Sequence, residues 1–570
     1  MARPVSDIVK KEIVNFKDAV ARLRSGALDD LEFKKIRLLY GIYGQKQKSP
    51  EGVQMIRVKI PGGIMNAEQL RALSEVAEKY STGIGHITTR QNFQFHFIKL
   101  DDVPAILEKL DTVGLTSREG CGNSWRNIVG SPLDGIHQNS VFDTYPYLQA
   151  AFKHFLRNPE FQKLPRKFKV NFSSGEGDLG QTSMNCIGAI AKIQNGKRGF
   201  KVLVGGGLGA SPHHAQLFSE FMPEELLIPY MEAITRHFNK VGQRENQMMA
   251  RIKFLVAKEG IETFKANVEK EYQAQKTKTV KVEIPAEKIP DVKVVSGGTA
   301  SPAYEAWKRV QVFAQKQSGF SYVFLKMIIG DLTAKQFVQI ADLIEKYGNG
   351  EIRTTTEQDF VIPWVKNESL TALYADLVKI GLAEVGSNRI EDVLSCPGGH
   401  TCNLAITKSK HLGSYLTDYI KEKYPSTNPA NEDLKGILIK ISGCPNSCSQ
   451  HRGAPIGFQG GVMNVSGKKA PVYQLYLGGE IMSSTVKTGK AIAKYPARNI
   501  PKVVDSLIDM YRKDKGKNFV EWANAQQPST VMEALKPFQQ ITVADVELFK
   551  EPNENEDFVF TGIGEAECAI

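Results

Sequence analysis

The sequence has no apolar run approaching the roughly eighteen residues that a membrane span needs. Its opening, MARPVSDIVKKEIVNF, carries charges where a secretory signal requires an unbroken apolar stretch. Both absences point to a cytoplasmic protein without a membrane partner. Cysteine is scarce and odd in number, seven in 570 residues, which argues against a disulfide framework. There is no lysine tail, no RNP-like segment and no zinc-finger spacing, so the net charge of +11 gives no case for nucleic acid. An acidic protein or a polyanionic small molecule remains as the partner for that charge. Cys568 has two residues after it, one short of a prenylation box.

What the chain does have is a repeat. At 570 residues it is too long for one ordinary core. NAEQLRALSEVAEKY (66–80) aligns without a gap on TAKQFVQIADLIEKY (333–347). Each begins with an N-cap, Asn66 or Thr333, and places Gln69 or Gln336 where a capping box needs it. Leu70, Leu73, Val76, Ala77 and Tyr80 form one apolar helical face, matched by Phe337, Ile340, Leu343, Ile344 and Tyr347. TTRQNFQFHF (88–97) then faces TTEQDFVIPW (355–364), and both read as strands. Looser matches pair VGSP (129–132) with LSCP (394–397) and KVLVGGG (201–207) with YQLYLGG (473–479). The pattern is an internal duplication of an α+β unit. The copies differ where chemistry would sit: Arg90 faces Glu357, and only the second copy has paired cysteines. One site built jointly from both halves is expected.

The paired cysteines lie in SCPGGHTC (395–402) and GCPNSCS (443–449). Cys396, Cys402, Cys444 and Cys448 thus come from two Gly-, Pro- and Ser-rich loops that can curl thiolates toward one point. Four thiolates suit zinc or an iron–sulfur cluster, and the wide C-x5-C and C-x3-C spacings favour the cluster. Cys121, Cys186 and Cys568 read as buried or incidental thiols.

With C-x5-C…GCPNSC, the chain resembles the sulfite and nitrite reductases that couple a [4Fe–4S] cluster to siroheme. The resemblance runs from LLYGIYGQ (38–45) to YLGGE (476–480). It implies a pseudo-twofold duplication of ferredoxin-like and siroheme-binding α/β units, with the cofactors at the interface. The expected order is an arm over 1–60, a ferredoxin-like half over 61–130 and an α/β domain over 131–275. A linker (276–302), a second ferredoxin-like half (303–390), a cluster-bearing α/β domain (391–540) and an acidic, partly disordered tail (541–570) follow. The resemblance makes all four cysteines cluster ligands, with Cys448 also the axial ligand of the siroheme iron.

It also assigns roles to basic residues that would otherwise read as solvated charges. Arg90, expected on a strand whose polar face also carries Asn92 and Gln94, Arg126 in GNSWRNIVGSP, and Lys167 and Lys169 in LPRKFKV match the family's substrate-binding arginines and lysines. These bind the anion and supply protons. Arg118 and Arg452 are weaker candidates for the siroheme carboxylates. GGGLG (205–209) lacks a full dinucleotide fingerprint and reads as close backbone approach to the haem or the partner half. The K-x-K pair resembles sulfite reductases, whereas nitrite reductases commonly carry Asn at the second position. The expectation is a sulfite reductase, with nitrite as the closest alternative and a non-catalytic iron–sulfur subunit as the alternative of another class. The retained basic residues argue against the last. The chain has no recognisable flavin, ferredoxin or NADPH domain, so electrons come from an acidic ferredoxin or flavodoxin, or a separate flavoprotein subunit. The GNSWRNIVGSP segment looks closer to ferredoxin-type enzymes.

Overall fold

The computed structural model describes residues 3–45, 52–275, 279–286, 288–482, 485–514 and 518–560. Cys568 and the rest of 561–570 lie outside the described residues. Among the described residues no helix is long and apolar enough to cross a membrane.

The repeated helices form as their sequences dictate. Ala67–Tyr80 and Ala334–Tyr347 each begin in a complete capping box, from Asn66 with Gln69 and from Thr333 with Gln336. Two orphan N–H groups are satisfied at each start. The expected apolar faces are buried, with Leu70, Leu73, Val76, Phe337, Ile340 and Ile344 all fully excluded from solvent. The helices pack on one another, and Arg71 ties them across the surface to Asp342 and Glu345, both at 2.7 Å.

Each helix lies beside an antiparallel five-stranded sheet, and each sheet borrows its last strand from the other copy. The first runs Ile42–Gly44, Gln54–Val58, Phe93–Ile98, Ile84–Ile87 and then Asp331–Thr333 of the second copy. The second runs Val312–Ala314, Phe320–Leu325, Phe360–Lys366, Glu351–Thr354 and then Ile64–Asn66 of the first. The reciprocal pairs are Thr333 with Ile84 and Asn66 with Glu351. One core fills both units, with the Phe93 ring 5.2 Å from Phe337 and 6.2 Å from Phe360. The halves therefore cannot fold as separate beads. A buried lysine repeats as well: Lys59 pairs with Glu119 at 3.5 Å, and Lys326 pairs with Asp359 at 3.6 Å and with Asp392.

Two α/β layers complete the molecule. One sheet runs Val170–Ser173, Ile187–Gln194, Lys197–Val204, Gln216–Pro223. The other runs Val393–Ser395, Ile439–Ser442, Ile456–Val465, Lys468–Leu477, Lys490–Pro496. In both, parallel pairing leads into antiparallel strands, with one parallel pair in the first sheet and two in the second. The looser sequence matches occupy equivalent places. Val129 bridges Asn171 as Leu394 pairs with Lys440; the second match is shifted by one residue, so that Gly205 and not Gly206 corresponds to Gly478, and both take positive φ, 84° and 81°, as the strand ends.

Three expectations change. Residues 42–58, assigned to an arm, supply two strands of the first sheet; the repeat becomes legible only from residue 66, so the preceding strands escaped it. The segment 541–560 is packed, with Phe549 and Glu551 buried. Its acidity suggested disorder, but it meets a basic surface. For GGGLG the partner-half alternative gives way to packing on its own half: a side chain on Gly206 would meet the Ser183 carbonyl at 2.5 Å, and one on Gly207 would meet Arg251 at 2.7 Å.

Candidate functional site

The four paired cysteines leave the C-terminal ends of two parallel strands, where an open α/β sheet presents its loops. Cys396 follows Val393–Ser395, and its N–H donates to the Ile441 carbonyl at 3.2 Å. Gly398, at φ 61°, packs so closely that a side chain there would meet the Ser409 hydroxyl at 2.5 Å. The Cys396 sulfur lies 3.2 Å from the Ser409 hydroxyl and accepts from the Gly443 N–H at 3.3 Å. Such bonds stabilise a thiolate. Cys444 and Cys448 follow Ile439–Ser442 in a turn that needs left-handed backbone at Ser447 and Gln450.

The thiols sense one another. Burial raises Cys396, and Cys448 adds to the shift; burial and then Cys448 lift Cys402 to about 12. Burial raises Cys444 too, followed by Cys448, Cys396 and Cys402. Among the described residues no three His, Cys, Asp or Glu side chains gather tightly enough for one metal ion. Four thiols presented by two neighbouring loops suit a multi-iron cluster, in which each iron takes its own sulfur. Cys444 is buried and Cys396 and Cys402 are half-buried, but Cys448 is exposed. Cys448 meets the first half: the Thr89 hydroxyl donates to its carbonyl at 2.8 Å, and its thiol acts on Lys169.

Next to Thr89 stands Arg90. It sits in the turn before the Phe93–Ile98 strand, with Gln91 at φ 59°, so the expected strand alternation through Arg90, Asn92 and Gln94 does not hold. The turn places the guanidinium across the first α/β sheet. Its Nη1 donates to Asn171 at 3.0 Å and Asn185 at 2.9 Å, and its Nη2 to the Asn127 carbonyl at 2.7 Å. Burial lowers Arg90 to about 9; the Cys186 thiol opposes this, while Arg126, Arg251 and Arg57 push the same way. It stays protonated at neutral pH.

Arg126 donates to the Gly122 and Gly120 carbonyls at 3.1 and 2.9 Å, and to the Tyr43 hydroxyl at 3.3 Å. Lys167 and Lys169 flank the buried Phe168 in an extended segment that bridges Trp125; the regular strand begins at Val170. Burial pushes Lys169 well below the usual lysine range, and Arg90, Arg251 and Lys167 push further, with Cys448 opposing. The two lysines and Arg90 thus meet the exposed thiol of the other half in one electrostatic neighbourhood.

Sequence reasoning missed Arg57, Arg251 and Lys253. Arg57 shares Tyr43 and the Gly120 carbonyl with Arg126, at 3.2 and 3.1 Å. Arg251 lies 3.7 Å from the Cys186 sulfur, and burial followed by Arg251 lowers Lys253 to about 8. Alternation along QMIRV would have flagged Arg57; Arg251 sits in a loop and had no signal. Arg452 stacks 4.5 Å over Tyr476 and also acts on Lys253, so it joins the group. Arg118 does not: it is 3.5 Å from Glu12 and donates to Gln162. Buried Nε atoms of Arg90, Arg251 and Arg452 have no hydrogen-bond partner among the described residues. Clustered cations with donors to spare fit a polycarboxylate group and an oxyanion.

At the place facing Arg90 the second copy closes the equivalent space. Glu357 is buried 3.5 Å from Lys440, the counterpart of Asn171. Gln181 donates to Glu357 at 3.0 Å, Lys440 donates to Gln450 at 2.9 Å, and Gln450 donates back to Gln181. Gln181 and Gln450 hold equivalent left-handed positions, so the local twofold passes between them.

The family model described as "Nitrite/Sulfite reductase ferredoxin-like half domain" matches residues 45–113 and 313–380. "Nitrite and sulphite reductase 4Fe-4S domain" matches 121–276, the copy without paired cysteines. A chloroplastic ferredoxin–nitrite reductase of Oryza sativa subsp. japonica is 31% identical over 82% of this chain and 76% of its own. Sulfite reductase [ferredoxin] 1 of Mycolicibacterium paratuberculosis is 28% identical over 82% of this chain and 81% of its own. The solved structure of Mycobacterium tuberculosis NirA protein superposes with a TM-score of 0.78 at 24% identity, covering 93% of this chain and 98% of that one, which establishes the fold. The chain belongs to the nitrite/sulfite reductase family, oxidoreductases that bind siroheme and a [4Fe–4S] cluster.

Proposed function

We propose that the chain is a ferredoxin-type sulfite reductase. The observation that carries this reading is Lys169. Nitrite bears one charge, and sulfite bears up to two and has three oxygens to lose. Lys169 stands among Arg90, Arg251 and Lys167, where a further cation is costly unless an anion balances it. Among the described residues no acceptor or carboxylate is bonded to its ammonium. Asn at this position would suit the smaller, less charged anion.

In this reading Arg90, Arg126, Lys167 and Lys169 are the catalytic residues. The arginines are held by amides and carbonyls, so their charge is undiminished and is available to oxyanion oxygens. Lys169, with its affinity for protons reduced by burial and by Arg90, Arg251 and Lys167, can pass one to a departing oxygen. The siroheme and cluster supply the electrons; HSO3− takes up six electrons and six protons to give HS− and three waters. Cys396, Cys402, Cys444 and Cys448 would hold the cluster, and Cys448, the exposed one of the four and bonded through its carbonyl to Thr89 of the first half, would also serve the siroheme. The donor is an acidic ferredoxin, consistent with the net charge of +11 and with the printed names of the relatives.

A second reading, reduction of nitrite to ammonia, is favoured by the rice relative's name. Product analysis with reduced ferredoxin separates the two. Sulfide formation from sulfite at a higher kcat/KM than ammonia formation from nitrite is expected, and efficient turnover of nitrite alone would reject the proposal.

A further inference from the structure

The segment Val546–Phe560 crosses the surface beside the cluster loop as an acidic strap. The Phe549 ring anchors it, fully buried, with the Lys468 ammonium 4.5 Å above. Glu551, 2% exposed, accepts from the Lys408 N–H at 2.7 Å. Lys408 directly precedes Ser409, whose hydroxyl is 3.2 Å from the Cys396 sulfur. The strap thus ends one residue from the group that touches a cluster thiol.

Its remaining acids engage bases that surround this spot. Glu554 is 2.5 Å from Lys408 and 3.0 Å from His411. Glu547 is 2.7 Å from Arg498, and Asp557 is 2.8 Å from Lys468. Arg498 also donates to the Glu554 carbonyl at 2.7 Å. Lys550 pairs in turn with Glu547. Glu547 and Asp557 keep about half their side-chain surface in solvent, 60% and 49%, so these pairs exchange readily with other partners. Glu551 and Phe549 are sunk and would stay put when the outer acids let go.

We propose that this strap is a built-in competitor for the electron donor: its outer carboxylates occupy the basic face beside the cluster that an acidic ferredoxin engages, and the donor docks by displacing them. This rests on the reading of ferredoxin as donor. Electron transfer needs close approach to the cluster, and this face carries Lys408, His411, Lys468 and Arg498 next to the loop of Cys396 and Cys402. A tethered competitor keeps that face from binding acidic proteins indiscriminately and favours a donor with charge in the right pattern.

The test uses the full-length holoenzyme and a purified acidic [2Fe–2S] ferredoxin. The triple variant Glu547→Gln, Glu554→Gln, Asp557→Asn leaves the anchor intact. A control triple, Asp7→Asn, Glu262→Gln, Glu305→Gln, removes the same charge from exposed positions that touch none of the strap's partners. At low salt the strap variant should bind ferredoxin about threefold more tightly or better. The control should change far less, and the difference should vanish in high salt. Turnover with reduced methyl viologen should be the same for all three proteins. Equal tightening in both triples, or none in the strap variant, would overturn the competitor. Tighter binding in the strap variant without ferredoxin-driven turnover in any protein would leave the strap standing and remove ferredoxin as donor.

Discussion

The Thr89 hydroxyl donates to the carbonyl of Cys448 at 2.8 Å, and so joins the turn that carries Arg90 in one copy to the paired-cysteine loop of the other. Its neighbour Arg90 reaches Asn171, Asn185 and Asn127. A neutral bond of this kind contributes about 1 kcal/mol. Thr89→Val should leave both cofactors in place with a small loss of thermal stability. Under the proposed assignment of Cys448 to both groups, Cys448→Ser should lose the siroheme and the cluster together. Absorption spectra with iron and acid-labile sulfide analysis distinguish these outcomes; a Cys448→Ser protein that kept a normal siroheme–cluster spectrum would end the shared-ligand assignment.

The buried pair of Glu357 and Lys440 makes a different prediction. Removing one partner strands a charge in the interior, at a cost of about 3–5 kcal/mol, whereas removing both costs much less. Glu357→Ala should therefore lower the unfolding temperature sharply, and Glu357→Leu with Lys440→Met should recover most of the loss. Equal damage in the single and double variants would show that the Gln181–Gln450 contact, and not the ion pair, holds the halves together here.

Glu551 gives the tail a pH dependence. Burial lifts its carboxyl from 4.5 to about 7, against the Lys408 N–H and charge that lower it. The folded state then binds a proton that the unfolded state has released between these values. The stability from this group is full below about 4.5 and is lost as pH rises through about 7. Glu551→Gln removes the titration. Relative to wild type, the variant should gain stability between pH 5 and pH 8, by up to about 3 kcal/mol. Unfolding temperatures that run parallel across that range would contradict it.

The capping boxes and apolar faces of Ala67–Tyr80 and Ala334–Tyr347 could be read from the sequence because they are local and periodic. The strand exchange could not: Asp331–Thr333 and Ile64–Asn66 are three residues each and gain meaning only from partners far along the chain. The cysteines stood out by chemistry and spacing. Arg90, Arg126, Lys167 and Lys169 needed a family motif, since a lone cation in sequence is usually a solvated one. Arg251 needed the fold itself, which carries its loop to Cys186. The packing of 541–560 was not legible, because acids signal disorder until the basic face of Lys408, Arg498 and Lys468 is known.

The central claim is that Lys169 sets the preference for the more highly charged anion, and the direct measurement is kcat/KM for sulfite and for nitrite in wild type and Lys169→Asn with one reduced dye as donor. The account predicts a wild-type ratio that favours sulfite and a fall of about tenfold or more in that ratio in the variant, as expected for loss of a charge-assisted bond of roughly 1.5–3 kcal/mol. An unchanged ratio would contradict it.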